Sequence, residues 1–223
     1  MKKAIVLALL LSLLLALSAC TGETAQSEAS EQSALPDATE KAPDPPYDGE
    51  IPEDVFGIYD EESYTNDYFG VEYKRDGNWA FYTMQELASV NGLAFGETET
   101  DALKRIGYVY NMYARSEMDT LGFTIAIPAV QYGKAMTEAE YAQATKDASA
   151  RDYAGADYDV VSGELGTASF GGEEHVCFDL TVAANGMMFY TKQIFIQRGD
   201  YIGVVYVSSQ TEEGRTYLLN SFS

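Results

Sequence analysis

His175, Cys177 and Asp179 stand two residues apart, so in an extended strand their side chains emerge on one face. That spacing lets a thiol and an imidazole meet with an acid beside them, the groups of a cysteine nucleophile and its base. His175 is the only histidine of the chain, so a histidine-based triad has a single candidate base. The competing reading is a surface histidine next to the Gly171-Gly172 turn, and it is the expected one. Cys177 divides in the same way. An accessible thiol with a lowered pKa is a nucleophile, whereas a thiol buried in a strand is a small hydrophobe; the inert role is expected. A zinc site needs three or four His or Cys ligands, and the chain does not supply them.

Carboxylates are abundant, and a pair of them could run glycoside hydrolysis. With so many acids, accidental pairs are easy and no spacing singles out two. Asp152, Asp157 and Asp159 cluster around a glycine, a loop whose oxygens could hold Ca²⁺. The EF-hand register is absent, and a solvated loop is the plainer reading. There is no Gly-Lys-Ser/Thr phosphate cradle and no dinucleotide glycine pattern, so no cofactor is expected. Tyrosine is over-represented, with 17 residues. Tyr68, Trp79 and Tyr82 are the candidate ligand-binding aromatics: exposed, they would suit sugar stacking or a protein interface. The alternative is that they fill the surfaces of a tyrosine-rich sheet.

The most specific chemistry belongs to Cys20. Lys2 and Lys3 precede an apolar run from Ala4 to Leu17, which has the length of a secretory signal and falls short of a membrane span. The run ends Leu17-Ser18-Ala19-Cys20, which resembles the lipobox of bacterial lipoproteins. In that family the cysteine thiol receives a diacylglyceryl group and the signal is cut before it. Small side chains beside the scissile bond suit a peptidase, and the thiol lies where it can meet a lipid donor. Residues 1–19 are therefore read as a lipoprotein signal peptide and Cys20 as the lipidated residue. Each buried methylene contributes about 0.8 kcal/mol, so two or more acyl chains make a stable anchor on the extracytoplasmic face of the cell membrane.

Residues 20–54 read as a disordered acidic spacer. Five of the six prolines lie there, and large apolar residues are few, so no core offsets the entropy of ordering it. As a flexible coil it reaches roughly 30–35 Å. Residues 21–54 carry ten acids and one lysine; residues 55–223 carry 25 acids and 11 bases. Nucleic acid is excluded as a partner by this balance, because such affinity comes from Lys and Arg on phosphates. Anionic lipid surfaces are disfavoured as docking sites for the same reason.

Residues 55–223 must then fold without a disulfide, which a chain of this length can do through its core. Tyr68–Tyr73 and Trp79–Tyr82 read as strands around an Asp76-Gly77-Asn78 turn. Thr83 and Glu86 form a capping box, and Asn91-Gly92 stops that helix. A second helix is expected over 100–106. Residues 108–114 and 122–127 read as a hairpin, and Thr137 caps a helix running to about Asp152. Four strands follow, over 160–170, 174–183, 187–197 and 201–208, with Gly171-Gly172 and Asn185-Gly186 as turn signals. A closing helix spans 211–222. Strand 201–208 is apolar on both sides, and strand 187–197 nearly so; a strand with one wet face would alternate. The expected architecture is α+β, a largely antiparallel sheet covered by helices on both faces.

This domain resembles the PsbP/Mog1-like fold, an α/β/α sandwich, and more narrowly a set of bacterial surface lipoproteins that carry it. The likeness rests on Tyr68-Phe69-Gly70-Val71 leading to Gly77-Asn78-Trp79, on Tyr110-Asn111-Met112-Tyr113-Ala114, and on Thr191-Lys192-Gln193. Gly199-Asp200-Tyr201-Ile202 and Leu218-Leu219-Asn220-Ser221-Phe222 add to it. The chain departs from the pattern before the Gly-Trp turn, where Arg75-Asp76 replace a common proline. The resemblance implies a non-enzymatic binding scaffold and supplies no catalytic residues. The expectation is a lipid-anchored extracytoplasmic accessory or binding protein that engages an envelope protein or ligand. The alternative is an envelope hydrolase using a carboxylate pair.

Overall fold

The computed structural model describes residues 47–154 and 158–223, and Thr-x-x-acid sequences open three of its helices. Thr83 and Glu86 cap α1 (Met84–Val90) reciprocally, and Thr98 and Asp101 do the same for α2 (Glu99–Ile106). Thr137 and Glu140 exchange the equivalent bonds at the start of α4 (Glu138–Ala154). Each box satisfies N–H groups that a helix start leaves without intrahelical partners. A short α3 (Pro128–Tyr132) opens on proline, and α5 (Glu212–Leu219) on Thr211.

Among the described residues ten strands complete the fold, all paired antiparallel. A small sheet has the order β1 (Ile58–Tyr59), β2 (Ser63–Asn66), β3 (Val71–Lys74). The large sheet contains β4 (Ala80–Phe81), β5 (Tyr108–Arg115), β6 (Thr120–Ala126), β7 (Asp159–Phe170), β8 (Glu173–Ala184), β9 (Met187–Arg198) and β10 (Tyr201–Ser209). Its order is β4-β5-β6-β10-β9-β8-β7. The β8–β9 turn uses Asn185 and Gly186 at φ 52° and 77°, the left-handed pair of a tight hairpin. The molecule is an α+β fold of antiparallel sheets and helices.

β10 lies at the centre, between β6 and β9, and every one of its residues is buried. Its side chains alternate between two cores. Tyr201, Val205 and Val207 join Ile194 and Ile196 in one cluster, while Ile202 and Val204 join Phe178 and Phe195 in another. Burying an aliphatic side chain of this size contributes about 1.5–3 kcal/mol. The first cluster takes Ala102 and Leu103 from α2 and Leu218 from α5. The second takes Tyr141, Ala142 and Tyr153 from α4. Leu87 of α1 packs in a third group with Tyr82, Tyr110, Tyr113 and Tyr206.

The first cluster also includes Tyr64, Val71 and Tyr73 from the small sheet, beside the helices expected over the large one. Within the residues 20–54 read as spacer, Ile51 is buried in the same cluster and Tyr47 packs against it. A 3₁₀ turn at Glu53–Val55 then seals Val55 into that core. Cys20, the signal segment, the spacer up to residue 46 and Asp157 lie outside the described residues.

Candidate functional site

The three candidate aromatics do not form one platform. Tyr68 stands edge-on to Phe69 and Tyr201, with ring centroids 5.0 and 5.8 Å away, and its hydroxyl donates to the Arg198 carbonyl at 3.3 Å. Trp79 is half-buried against the same cluster as Tyr68. Tyr82 lies in the third cluster, edge-on to Tyr113 at 4.6 Å, and is only 4% exposed. The Arg115 guanidinium covers its ring at 5.1 Å, a cation–π contact. Burial pushes the Tyr82 hydroxyl up to about 12. Tyr82 is thus a packing residue of the α1–β5 contact, in keeping with the alternative that these aromatics fill a tyrosine-rich sheet.

The histidine, cysteine and aspartate on β8 are each wired into the sheet. His175 is buried, not a surface residue. Its Nδ1 lies 3.1 Å from Oε1 of Glu138, the first residue of α4. The same carboxylate accepts from the backbone N–H of Gln197 at 2.8 Å and from that of Val176 at 3.4 Å. The β8–β9 ladder runs from Ala184 opposite Met187 to Cys177 opposite Ile194. Beyond that point the Glu138 carboxylate bridges the two strands, accepting from the β9 backbone with Oε1 and from the β8 backbone with Oε2.

Cys177 is buried, and burial pushes its thiol up, with Lys192 pulling the other way. That is the setting of an inert thiol. Asp179 is held from two sides, by Lys192 Nζ at 2.8 Å and by Arg215 Nη1 at 2.9 Å. It therefore ties β8 to β9 and to α5. His175 is bound to Glu138 and close to Glu173, while Cys177 contacts Lys192 and Asp179. The shared strand face does not assemble a nucleophile and base.

Among the described residues no three His, Cys, Asp or Glu side chains converge as a metal site. The Asp152/Asp157/Asp159 loop contains Asp157, which is outside the described residues, so the Ca²⁺ reading is untouched.

One carboxyl stands out that the sequence did not mark. Glu99 opens α2 directly after its Thr98 cap, and burial pushes its carboxyl up to about 7, against a smaller opposing pull from Asn111. Asn111 on β5 is itself fixed: its Oδ1 accepts from Gly57 N at 2.7 Å and from the Tyr64 hydroxyl at 2.8 Å. The Tyr64 hydroxyl in turn accepts from Asn66 Nδ2, which also donates to the Val55 carbonyl. A polar chain thus runs from Val55 through Asn66, Tyr64 and Asn111 to Glu99, joining the small sheet to the large one. The capping box could have flagged an acid in this first turn; its burial depends on partners distant in sequence.

The remaining feature is an edge. β7 pairs with β8 on one side, and among the described residues no strand pairs with its other side. Most of its residues are exposed, including Val160 at 44% and Val161 at 57%. A register shift between Val160 and Ser162 marks a bulge near its start.

No family model matches the chain, and no curated protein matches it either. Among solved structures, the chain is similar to the solution structure of a cyanobacterial PsbP, CyanoP from Synechocystis sp. PCC 6803. The TM-score is 0.43 at 12% identity, over 78% of this chain and 97% of that one. A protein of unknown function from Pseudomonas aeruginosa is similar at a TM-score of 0.31 and 15% identity, over 44% of this chain and 63% of that one. At these identities the likeness concerns fold alone.

Proposed function

We propose that this chain is a lipid-anchored, extracytoplasmic accessory or binding protein, non-enzymatic, built on an α/β/α sandwich of the PsbP/Mog1-like kind. It hangs from the membrane by the lipid on Cys20 and presents its folded domain at the end of an acidic spacer to an envelope protein or ligand. The observation that carries the binding reading is the twelve-residue edge of β7, whose outer backbone groups are free to pair among the described residues. Support also comes from the uses already found for the reactive side chains. His175 positions Glu138, and Asp179 clamps two cations. No helix of the described residues is long and apolar enough to cross a membrane.

A second reading, an envelope hydrolase with a carboxylate pair, has one observation in its favour: the raised carboxyl of Glu99. Such chemistry needs a second acid about 5–9.5 Å away. Burial accounts for the upward shift of Glu99 without one, Asn111 pulling the other way.

The anchor is tested by Cys20→Ala in producing cells, followed by membrane fractionation. The variant is expected to remain unprocessed or to leave the membrane fraction; normal processing and retention overturn the anchor. Cross-linking on intact cells with mass spectrometry tests the binding role. A single abundant envelope partner supports it, and an empty result beside efficiently cross-linked control complexes counts against it.

A further inference from the structure

An edge strand is normally protected against pairing by charged side chains, lysine above all, by proline, a bulge, a covering segment or extreme shortness. The far edge of the large sheet is protected by shortness, since β4 has two residues. β7 has twelve, with no proline and no lysine or arginine anywhere in it. Its bulge disrupts only the beginning, so a regular stretch runs from Ser162 to Ser169. Gly163 and Gly166 fall inside that stretch. Neither has the positive φ that would demand glycine for the backbone, and a glycine in a strand suits close approach by another backbone.

Charge selects the occupant. The β7–β8 hairpin, residues 159–184, carries five acids and no lysine or arginine. Asp179 is neutralised by Lys192 and Arg215, and Glu173 pairs with Arg198. No described cation pairs with Asp159, Glu164 or Glu174, all of them exposed. A second copy would bring the same acidic edge against itself. The chain's own residues 21–46 fit no better, with six acids against one lysine and four prolines that lack the N–H an added strand must donate.

We infer that the free edge of β7, from Ser162 to Ser169, takes up an extended segment of a partner protein with lysine or arginine at alternate positions, which adds an eighth strand to the seven-stranded sheet. Main-chain hydrogen bonds supply the affinity, and a basic side chain of the segment meets Glu164, the one acid between Ser162 and Ser169, with the acidic hairpin around it favouring further positive charge. The inference rests on the binding reading above and names the class of partner.

The test uses the lipidated chain in detergent with the synthetic peptide Lys-Val-Lys-Val-Lys-Val-Lys, read by amide hydrogen exchange. Saturating peptide is expected to slow exchange within residues 162–169 by about tenfold or more while leaving β4 unchanged. Raising salt from about 0.05 to 0.5 M is expected to weaken binding about tenfold or more. Glu164→Lys should do the same, and a peptide with proline at its centre should not bind. Overturning results are equal protection by Glu-Val-Glu-Val-Glu-Val-Glu, protection elsewhere than β7, slow exchange of 162–169 in the free chain, or concentration-dependent protection without peptide, which would make the occupant a second copy. Peptide binding is read on purified chain and partner capture by cross-linking on intact cells, so a cross-linked partner beside failed peptide binding overturns this inference and leaves the binding reading standing.

Discussion

Glu138 and His175 are 37 residues apart in sequence, yet the carboxylate of one lies 3.1 Å from the imidazole Nδ1 of the other at the point where β8 and β9 stop pairing. The helix start therefore delivers an acceptor into the sheet. It replaces the ladder bonds that the diverging strands cannot make to each other, and it holds α4 against β8 and β9 while doing so. Removing the acceptor leaves the N–H groups of Val176 and Gln197 and the His175 ring without it. Glu138→Ala is expected to cost about 2–4 kcal/mol in urea unfolding, and Glu138→Gln less, because its amide oxygen still accepts. Equal stability of Glu138→Ala and the parent would contradict this role.

Glu99 makes stability depend on pH in the direction opposite to an ordinary salt-bridged carboxylate. Its folded pKa of about 7 lies above the usual 4.5, so the folded chain holds the proton more tightly than the unfolded one. The stabilisation is complete below about pH 4.5 and is lost as pH rises through 7. At 1.36 kcal/mol per pH unit the full difference is at most about 3 kcal/mol, and the water still reaching Glu99 reduces it to about 1–2 kcal/mol. Glu99→Gln is expected to flatten this dependence and to be relatively more stable at pH 8 than at pH 5. Denaturation curves at the two values decide it; a difference that does not change with pH would be the contrary result.

Gly203 on β10 lies under two phenylalanines. A Cβ built there would approach Phe123 and Phe69 ring atoms at 2.7 Å each. Both rings are buried, so neither has an easy retreat. Gly203→Ala is expected to lower stability by about 1–3 kcal/mol through overpacking. The double variant with Phe69→Leu should recover part of that loss, which distinguishes steric crowding from a backbone effect.

Asp179 binds cations from two different elements, so its removal should affect more than one contact. Asp179→Ala leaves Lys192 and Arg215, each with 18% side-chain exposure, facing each other without their counterion. The expected cost is about 1–3 kcal/mol. Asp179→Ala combined with Arg215→Met should be less damaging than the sum of the two single changes, because the second removes the stranded charge. Thermal melts of the three variants test it.

The strands of the last third were legible in sequence because their turns are written in residues with few alternatives, such as Asn185-Gly186, and because β10 is apolar on both faces. Capping boxes at Thr83 and Thr137 revealed helix starts for the same reason: the signal and the physics lie within four residues; the equivalent box at Thr98 went unread, and α2 begins one residue before its expected start. Of the small sheet only β3 was legible, overlapping the strand expected over 68–73; β1 has two residues and β2 has four, with Ser63, Thr65 and Asn66 breaking any apolar alternation. The surroundings of Tyr82 and His175 are completed by Arg115 and Glu138, each brought by another element, and Glu99 is raised by its burial. Residue type could propose roles for them, but burial and partners come only from tertiary packing.

The position of β10 between β6 and β9 has a consequence for how the chain comes into being. Any ribosome or export pore releases the polypeptide from its N-terminus, so the strand at the centre of the large sheet is among the last to emerge. Until residues 201–209 are free, the β5–β6 hairpin and the β7–β9 meander have no strand in common. Most of the pairing that joins them is long-range, which delays cooperative closure. A nascent chain stopped at residue 200 should stay open to protease, and the full chain should close in one late step. A domain assembled around the last of its described strands remains a threadable polymer until that strand is released.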